Sequence, residues 1–66
     1  MAIRLTGTYD SVDKVRNAEE DLLATGIPQE EIFVDENSKI IKVNVPDTAK
    51  PEILEILNRH EPTKVD

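Results

Sequence analysis

The sequence predicts an α+β fold, a two-layer sandwich with a four-stranded antiparallel sheet and two helices on one face. Apolar residues recur with the period of a strand in four segments and with that of a helix in two, in the order β, α, β, β, α, β. The halves 3–35 and 39–65 each read strand, helix, strand, and right-handed crossovers then place both helices on the same face. Almost nothing is left over, which predicts a single domain over residues 1–66.

The first strand is predicted over residues 3–9, where Ile3 and Leu5 alternate with polar residues. Asp10 or Ser11 is expected to cap the first helix, because either side chain can accept a hydrogen bond from a free amide of the first turn. The apolar stripe of this helix comprises Val12, Val15, Ala18 and Leu22, widened by Leu23.

The middle of the chain predicts a helix stop followed by a hairpin. Gly26 suits the left-handed residue that ends a helix, and Pro28 prevents the helix from resuming. Strands over 31–35 and 39–45 flank the polar turn 36–38, the pattern of an antiparallel hairpin. Alternation places three apolar residues of the second strand on one face: Ile41, Val43 and Val45.

The last third predicts a helix and a short strand. Pro46 ends the preceding strand, Asp47 or Thr48 is expected to cap the helix, and Pro51 fits its first turn. The apolar stripe comprises Ala49, Ile53, Ile56 and Leu57. Residues 62–65 are long enough only for a short edge strand, and the sequence leaves open whether it pairs. The complete order is that of a ferredoxin-like fold.

Composition and charge argue against several classes of partner. Eight basic and fourteen acidic residues give a net charge of −6, which repels nucleic-acid phosphates and anionic lipid surfaces. There is no cysteine, so neither a disulfide nor a thiolate metal site can form. No apolar run approaches the roughly 18 residues of a membrane helix, and the first residues do not resemble a signal peptide. A cytoplasmic protein is expected.

The face of the sheet turned away from the helices is predicted to be the contact surface. It would carry Arg4, Thr6, Phe33, Ile40, Lys42 and Asn44. The apolar surface of Phe33 and Ile40 can be covered by a second copy or by another domain, so both a homodimer and a monomer remain open. A cross-strand contact within the hairpin is the simpler role for Phe33. RNA or single-stranded DNA binding is a third hypothesis, weakened by the single Phe and the absence of Trp.

The turn between the first strand and the first helix is a second candidate site. Its residues are Gly7, Thr8, Tyr9 and Asp10, with Gly7 expected to relax the end of the strand. Free amides at a helix N-terminus can hold a carboxylate or a phosphate, which predicts a small-ligand sensor for anions or amino acids. The carboxylate of Asp10 counts against this hypothesis, because it competes for the same amides.

No motif indicates catalysis. The two glycines lie nineteen residues apart and cannot build a phosphate-binding loop. His60, the only histidine, is expected at the end of the second helix, where a positive charge interacts favourably with the helix dipole. We therefore expect a non-enzymatic interaction or regulatory domain with no cofactor and no bound metal, whose specific role and partner the sequence does not identify.

Several short segments resemble the small bacterial general-stress (heat-induced) domain family. They are residues 7–10, 18–19 with Leu22, 26–28 and 31–34, and the match covers about half the chain. The resemblance implies a stress-related role and brings no catalytic residues.

In order and size the chain also resembles the amino-acid-sensing regulatory domains appended to metabolic enzymes, which bind ligand near the first strand-helix turn. It has Ser11 or Val12 where those domains place a glycine. It is similar in outline to heavy-metal chaperone domains, whose cysteines it lacks.

Overall fold

The computed structural model describes residues 2–66 and confirms the α+β fold and its order of elements. The strands are β1 (Ala2–Thr8), β2 (Ile32–Asp35), β3 (Ile40–Pro46) and β4 (Lys64–Val65), and the helices are α1 (Val12–Thr25) and α2 (Lys50–Arg59). Short 3-10 turns precede β2 at Gln29–Glu31 and α2 at Asp47–Ala49. All strand pairs are antiparallel in the order β2-β3-β1-β4, as in ferredoxin-like folds.

Both helices pack on the same face of the sheet and share one core with it. The helices contribute Val15, Ala18, Leu22, Ile53, Ile56 and Leu57, and the strands contribute Leu5, Ile32, Ile41, Val43 and Val45. Alternation along the strands therefore predicted the core correctly. Within residues 2–66, no helix combines the length and hydrophobicity needed to cross a bilayer.

Helix α1 begins with a side-chain cap. The hydroxyl of Ser11 accepts a hydrogen bond from the backbone N–H of Lys14 at 3.2 Å, so Ser11 rather than Asp10 is the cap. Asp10 instead places its carboxylate 3.2 Å from Nζ of Lys14.

Helix α1 ends at the predicted glycine. Gly26 adopts φ 109°, and its backbone N–H donates to the carbonyl of Leu23 at 3.0 Å. The side chain of Leu23 is 38% exposed, so the expectation that it widens the apolar stripe is wrong. The core is filled by Leu22, which is fully buried one residue earlier.

Helix α2 begins without the side-chain cap predicted at Asp47 or Thr48. The chain enters the helix through a 3-10 turn, in which the backbone carbonyl of Asp47 accepts from the N–H of Lys50. A main-chain oxygen thus replaces the expected side chain. Pro51 lies in the first helical turn, as predicted.

Strand β4 pairs with β1 despite its two-residue length. Gly7 lies opposite Val65 and Thr8 opposite Lys64. Thr6 and Asp66 exchange two backbone hydrogen bonds of 2.9 and 2.8 Å, which extends the ladder by one residue pair.

Candidate interaction face

All six residues predicted for the contact surface lie on the side of the sheet opposite the helices. They are Arg4, Thr6, Phe33, Ile40, Lys42 and Asn44. The register accounts for this placement, since directly paired residues of neighbouring strands share a face and their core-side neighbours are buried. We call this side the open face. Its role in binding stays a prediction.

Strand pairing arranges the side chains of the open face in rows that cross the sheet. The Lys42 row is Phe33, Lys42, Thr6 and Asp66, in the order β2 to β4. The Ile40 row is Asp35, Ile40, Thr8 and Lys64. A shorter third row pairs Asn44 with Arg4, whose Nε donates to Oδ1 of Asn44 at 3.3 Å. Neighbours within a row are about 4.8 Å apart, and successive rows are about 7 Å apart.

Phe33 is the most exposed large apolar residue among residues 2–66. Its side chain is 49% exposed, and it lines a shallow depression of about 170 Å³ with Ile40 and Lys42. In the part of the chain that the structure describes, the other large exposed apolar residue is Leu23, on helix α1. The open face therefore offers an apolar contact that the folded chain itself does not cover.

The charges of the open face are mostly unpaired within the chain. Lys42 has no carboxylate within ion-pair distance among the described residues, and Asp35 uses Oδ1 to accept from the N–H groups of the hairpin turn. Lys64 lies 3.6 Å from Asp66, and both side chains are about two-thirds exposed. The carboxylates occupy the two edge strands, whereas the central strands carry Arg4 and Lys42.

Among the residues of this face that escaped the sequence reasoning are Thr8, Asp35, Lys64 and Asp66. Thr8 and Asp35 continue the alternation of strands that were correctly predicted, so that signal was present. Lys64 and Asp66 are placed by the pairing of β4, which a two-residue strand does not reveal from its own pattern.

The predicted ligand turn is divided between the two sides of the sheet. Thr8 lies on the open face, Gly7 and Tyr9 lie on the core side, and Asp10 is exposed at the helix start. The backbone N–H of Tyr9 donates to the carbonyl of Lys39 at 2.8 Å, and the carbonyl of Thr8 accepts from the N–H of Thr63, just before β4, at 2.7 Å. These backbone groups serve the fold, and ligand binding at this turn stays a prediction.

Tyr9 is a core residue. It is 3% exposed, and its hydroxyl donates to the backbone carbonyl of Leu57 at 2.8 Å, joining the end of β1 to the last turn of α2. Burial away from water raises the pKa of Tyr9 to about 12. Gly7 is buried inside β1 beneath this ring, so it accommodates Tyr9 and does not relax the strand end.

A contact between the two helices was not predicted from the sequence. His60, at the end of α2 as expected, places Nε2 at 2.9 Å from Oδ2 of Asp21 in α1. Arg59 reaches the same oxygen at 3.1 Å. The hydrogen bond with His60 is the main cause that lowers the pKa of Asp21; desolvation opposes it, and the charge of Arg59 adds a smaller lowering effect. The pairing depends on helix packing, which residue spacing does not disclose.

A wider groove of about 340 Å³ lies where β2 stops short of the end of β3. It is lined chiefly by apolar side chains, among them Ile27, Pro28 and Pro46, with Glu31 and Asn44 as the polar contributions. The groove forms because the chain makes a 3-10 turn before β2, leaving the last residues of β3 without a strand on that side.

Comparison of the chain with known protein families, with characterised proteins and with solved structures finds no match. The resemblance to general-stress domains therefore stays a prediction.

Proposed function

We propose that this chain is a non-enzymatic interaction domain that self-associates through its open face. The observation that carries the proposal is the position of Phe33, half-exposed beside Ile40 on the uncovered side of the sheet. Isolated exposed apolar residues are ordinary on protein surfaces. Here the aromatic ring adjoins a second apolar residue and a shallow depression, which gives a second copy something to pack against.

The energy available from Phe33 decides how strong such a dimer can be. A phenylalanine side chain offers on the order of 200 Å², so covering the exposed half removes roughly 100 Å² and contributes ~2.5 kcal/mol per copy. Association costs at least ~4 kcal/mol in lost translational and rotational freedom. Two Phe33 rings therefore offset the minimum cost only narrowly, and the remaining open face must contribute. We expect a dimer of modest affinity that loses most of its stability without Phe33.

The open face is large enough for the purpose. A standard interface covers about 800 Å² on each partner. This is about a fifth of the 4084 Å² that the chain exposes, close to the share that one side of a two-layer domain provides.

Analytical ultracentrifugation over about 10 μM to 1 mM tests the proposal. We expect the weight-average mass to rise from that of the 7.4 kDa monomer towards twice that value with increasing concentration. Phe33→Ser should keep the chain monomeric, because it removes the ring and leaves the backbone pairing of β2 intact.

Leu23→Ser is the matched control, since it removes the other large exposed apolar side chain from the opposite layer. We expect it to leave the association unchanged. A wild-type chain that stays monomeric at 1 mM, or a dimer that withstands Phe33→Ser, would contradict self-association through this face.

A further inference from the structure

The charges of the open face and the apolar contacts of Phe33 together distinguish between the ways in which two copies can meet. Two identical faces related by a two-fold axis must have that axis in the plane between them, and sheets packed face to face align within about 30°. For aligned strands the axis then runs either along the strands or across them. Each choice sets a different residue opposite each member of the Lys42 and Ile40 rows.

An axis across the strands and through the Lys42 row is unfavourable. It places Lys42 opposite Lys42 of the second copy, and Asp66 opposite Asp66. Like charges brought together in an interface cost several kcal/mol, and neither residue would gain a neutralising partner in its row.

An axis along the strands, between β3 and β1, is unfavourable for a different reason. It places β2 of one copy over β4 of the other, so that Phe33 lies over Asp66. The ring would face Asp66 with Thr6 and Lys64 beside it, and so would gain no apolar contact. The charges alone do not disfavour this axis, because Asp35 would lie over Lys64 of the second copy.

We propose that the two copies pack with the two-fold axis across the strands, midway between the Lys42 row and the Ile40 row; this inference rests on the proposed self-association. The Lys42 row of one copy then lies over the Ile40 row of the other. Phe33 lies over Asp35 of the second copy, and Ile40 of that copy stands beside this carboxylate, so the ring and Ile40 meet diagonally across the interface, twice by symmetry, at the depression that they line. Thr6 and Thr8 face each other at its centre.

The same arrangement pairs opposite charges. Lys42 lies diagonally across from Asp35 of the second copy and gains the carboxylate that it lacks within its own chain. Oδ2 of Asp35 remains for this pair, since the hairpin turn uses Oδ1. Lys64 lies over Asp66 of the second copy, so the two exposed intrachain pairs, one in each copy, can be exchanged for two interchain pairs. No like charges in the two rows are brought face to face.

The position of the axis can be measured by chemical crosslinking between introduced cysteines. Because the native chain has no cysteine, every crosslink joins the introduced positions. Thr6→Cys and Thr8→Cys each introduce one thiol at a half-buried position on the open face. A thiol-bridging reagent about 10 Å long matches the spacing of facing sheets. With Thr8→Cys labelled by ¹⁵N, mass spectrometry separates mixed dimers from dimers of either variant.

We expect a mixture of Thr6→Cys and Thr8→Cys to form mixed dimers faster than either variant crosslinks to itself. Rapid self-crosslinking of Thr6→Cys would place the axis through the Lys42 row and overturn the inference. Faster crosslinking of Thr6→Cys to Lys42→Cys would place it along the strands, with the same consequence. In both cases self-association itself would stand, whereas a chain that never dimerises in the ultracentrifuge would remove both proposals.

Charge reversal supplies a second measurement that needs no thiol. We expect Lys42→Glu to weaken dimerisation about tenfold or more, because it places two carboxylates opposite Asp35 and its symmetry mate. Lys50→Glu is the matched control: it makes the same change of charge at an exposed lysine at the start of α2, and Lys50 has no ion pair among the described residues. It should change the dissociation constant by less than about twofold. Equal effects of the two variants would contradict the proposed pairing.

Discussion

The ring of Tyr9 lies against the backbone of Gly7. A β-carbon on Gly7 would stand 3.0 Å from Cε1 and 3.2 Å from the phenolic oxygen of Tyr9, and 3.4 Å from Cγ2 of Ile41. Gly7 does not have a positive φ, so this close approach, and not backbone conformation, is what favours glycine at the position.

Gly7→Ala should therefore destabilise the fold by about 1–3 kcal/mol through overpacking, measured by urea unfolding. Gly26→Ala provides the contrast, because its β-carbon would meet no atom within 4 Å and the cost of about 1–2 kcal/mol comes only from the left-handed backbone. Tyr9→Phe removes one of the crowding atoms, so its effect should be less than additive with Gly7→Ala and additive with Gly26→Ala. Additivity in both pairs would argue against the contact.

The raised pKa of Tyr9 predicts a loss of stability at high pH. Its folded value of about 12 lies above the value of about 10 expected in the unfolded chain. The stabilisation is fully present below pH 10 and declines as pH rises towards 12, because the unfolded state releases the proton first.

Tyr9 is the only tyrosine and the chain has no Trp, so the absorbance of tyrosinate follows this one group. We expect an ionisation midpoint near 12 in the folded protein. The control is Tyr9→Phe, which should cost about 1 kcal/mol at neutral pH through the lost hydrogen bond to Leu57 and should lessen the decline between pH 10 and 12. Ionisation near pH 10 in folded protein would contradict the burial.

The contact between Asp21 and His60 predicts a contribution at low pH. Because the pKa of Asp21 is lowered in the folded state, its stabilisation is present above the unfolded value of about 4 and is lost as pH falls through the lower folded value. Asp21→Asn should therefore flatten the dependence of unfolding free energy on pH in the acid range.

Glu20→Gln is a suitable control for this experiment, since Glu20 makes no ion pair or side-chain hydrogen bond among residues 2–66. Chemical denaturation from pH 6 to pH 2 would compare the three proteins. If Asp21→Asn and Glu20→Gln change the acid slope equally, the contact with His60 does not stabilise the fold.

The hairpin turn contains a position at which glycine should be better than the native residue. Lys39 adopts φ 57°, and a left-handed conformation costs a residue with a β-carbon about 1–2 kcal/mol. Lys39→Gly keeps the backbone carbonyl that receives the N–H of Tyr9, so we expect stabilisation of up to about 1 kcal/mol. Lys42→Gly, inside β3, should instead destabilise by about 0.5–1 kcal/mol. A loss of stability in both variants would contradict the turn conformation.

The local patterns of the sequence determined most of what could be predicted. Alternation in β3 located the core residues Ile41 and Val43, and the same rule placed Phe33 on the open face. The cap of α2 was predicted incorrectly, because the backbone carbonyl of Asp47, and not its side chain, accepts a hydrogen bond at the start of the helix. Turn geometry of this kind depends on how the preceding strand enters the helix, which residue identity does not specify.

The features that the sequence did not predict are tertiary contacts between segments that lie far apart along the chain. The sequence predicts that Gly7 relaxes the end of the strand, whereas the structure shows that the ring of Tyr9 packs against it. The contact of Asp21 with His60 depends on the packing of two helices. The rows of the open face likewise depend on the register of β4, which carries too few residues to show a period.

Because β4 is only two residues long, few backbone hydrogen bonds cover the outer edge of β1. Among the described residues, only the backbone groups of residues 63–66 cover the outer edge of β1, at Thr6 and Thr8. Without residues 63–66, β1 would become an edge strand, with free N–H and C=O groups able to template pairing with another chain. Loss of the pairing made by residues 63–66 would thus favour aggregation through the edge of β1.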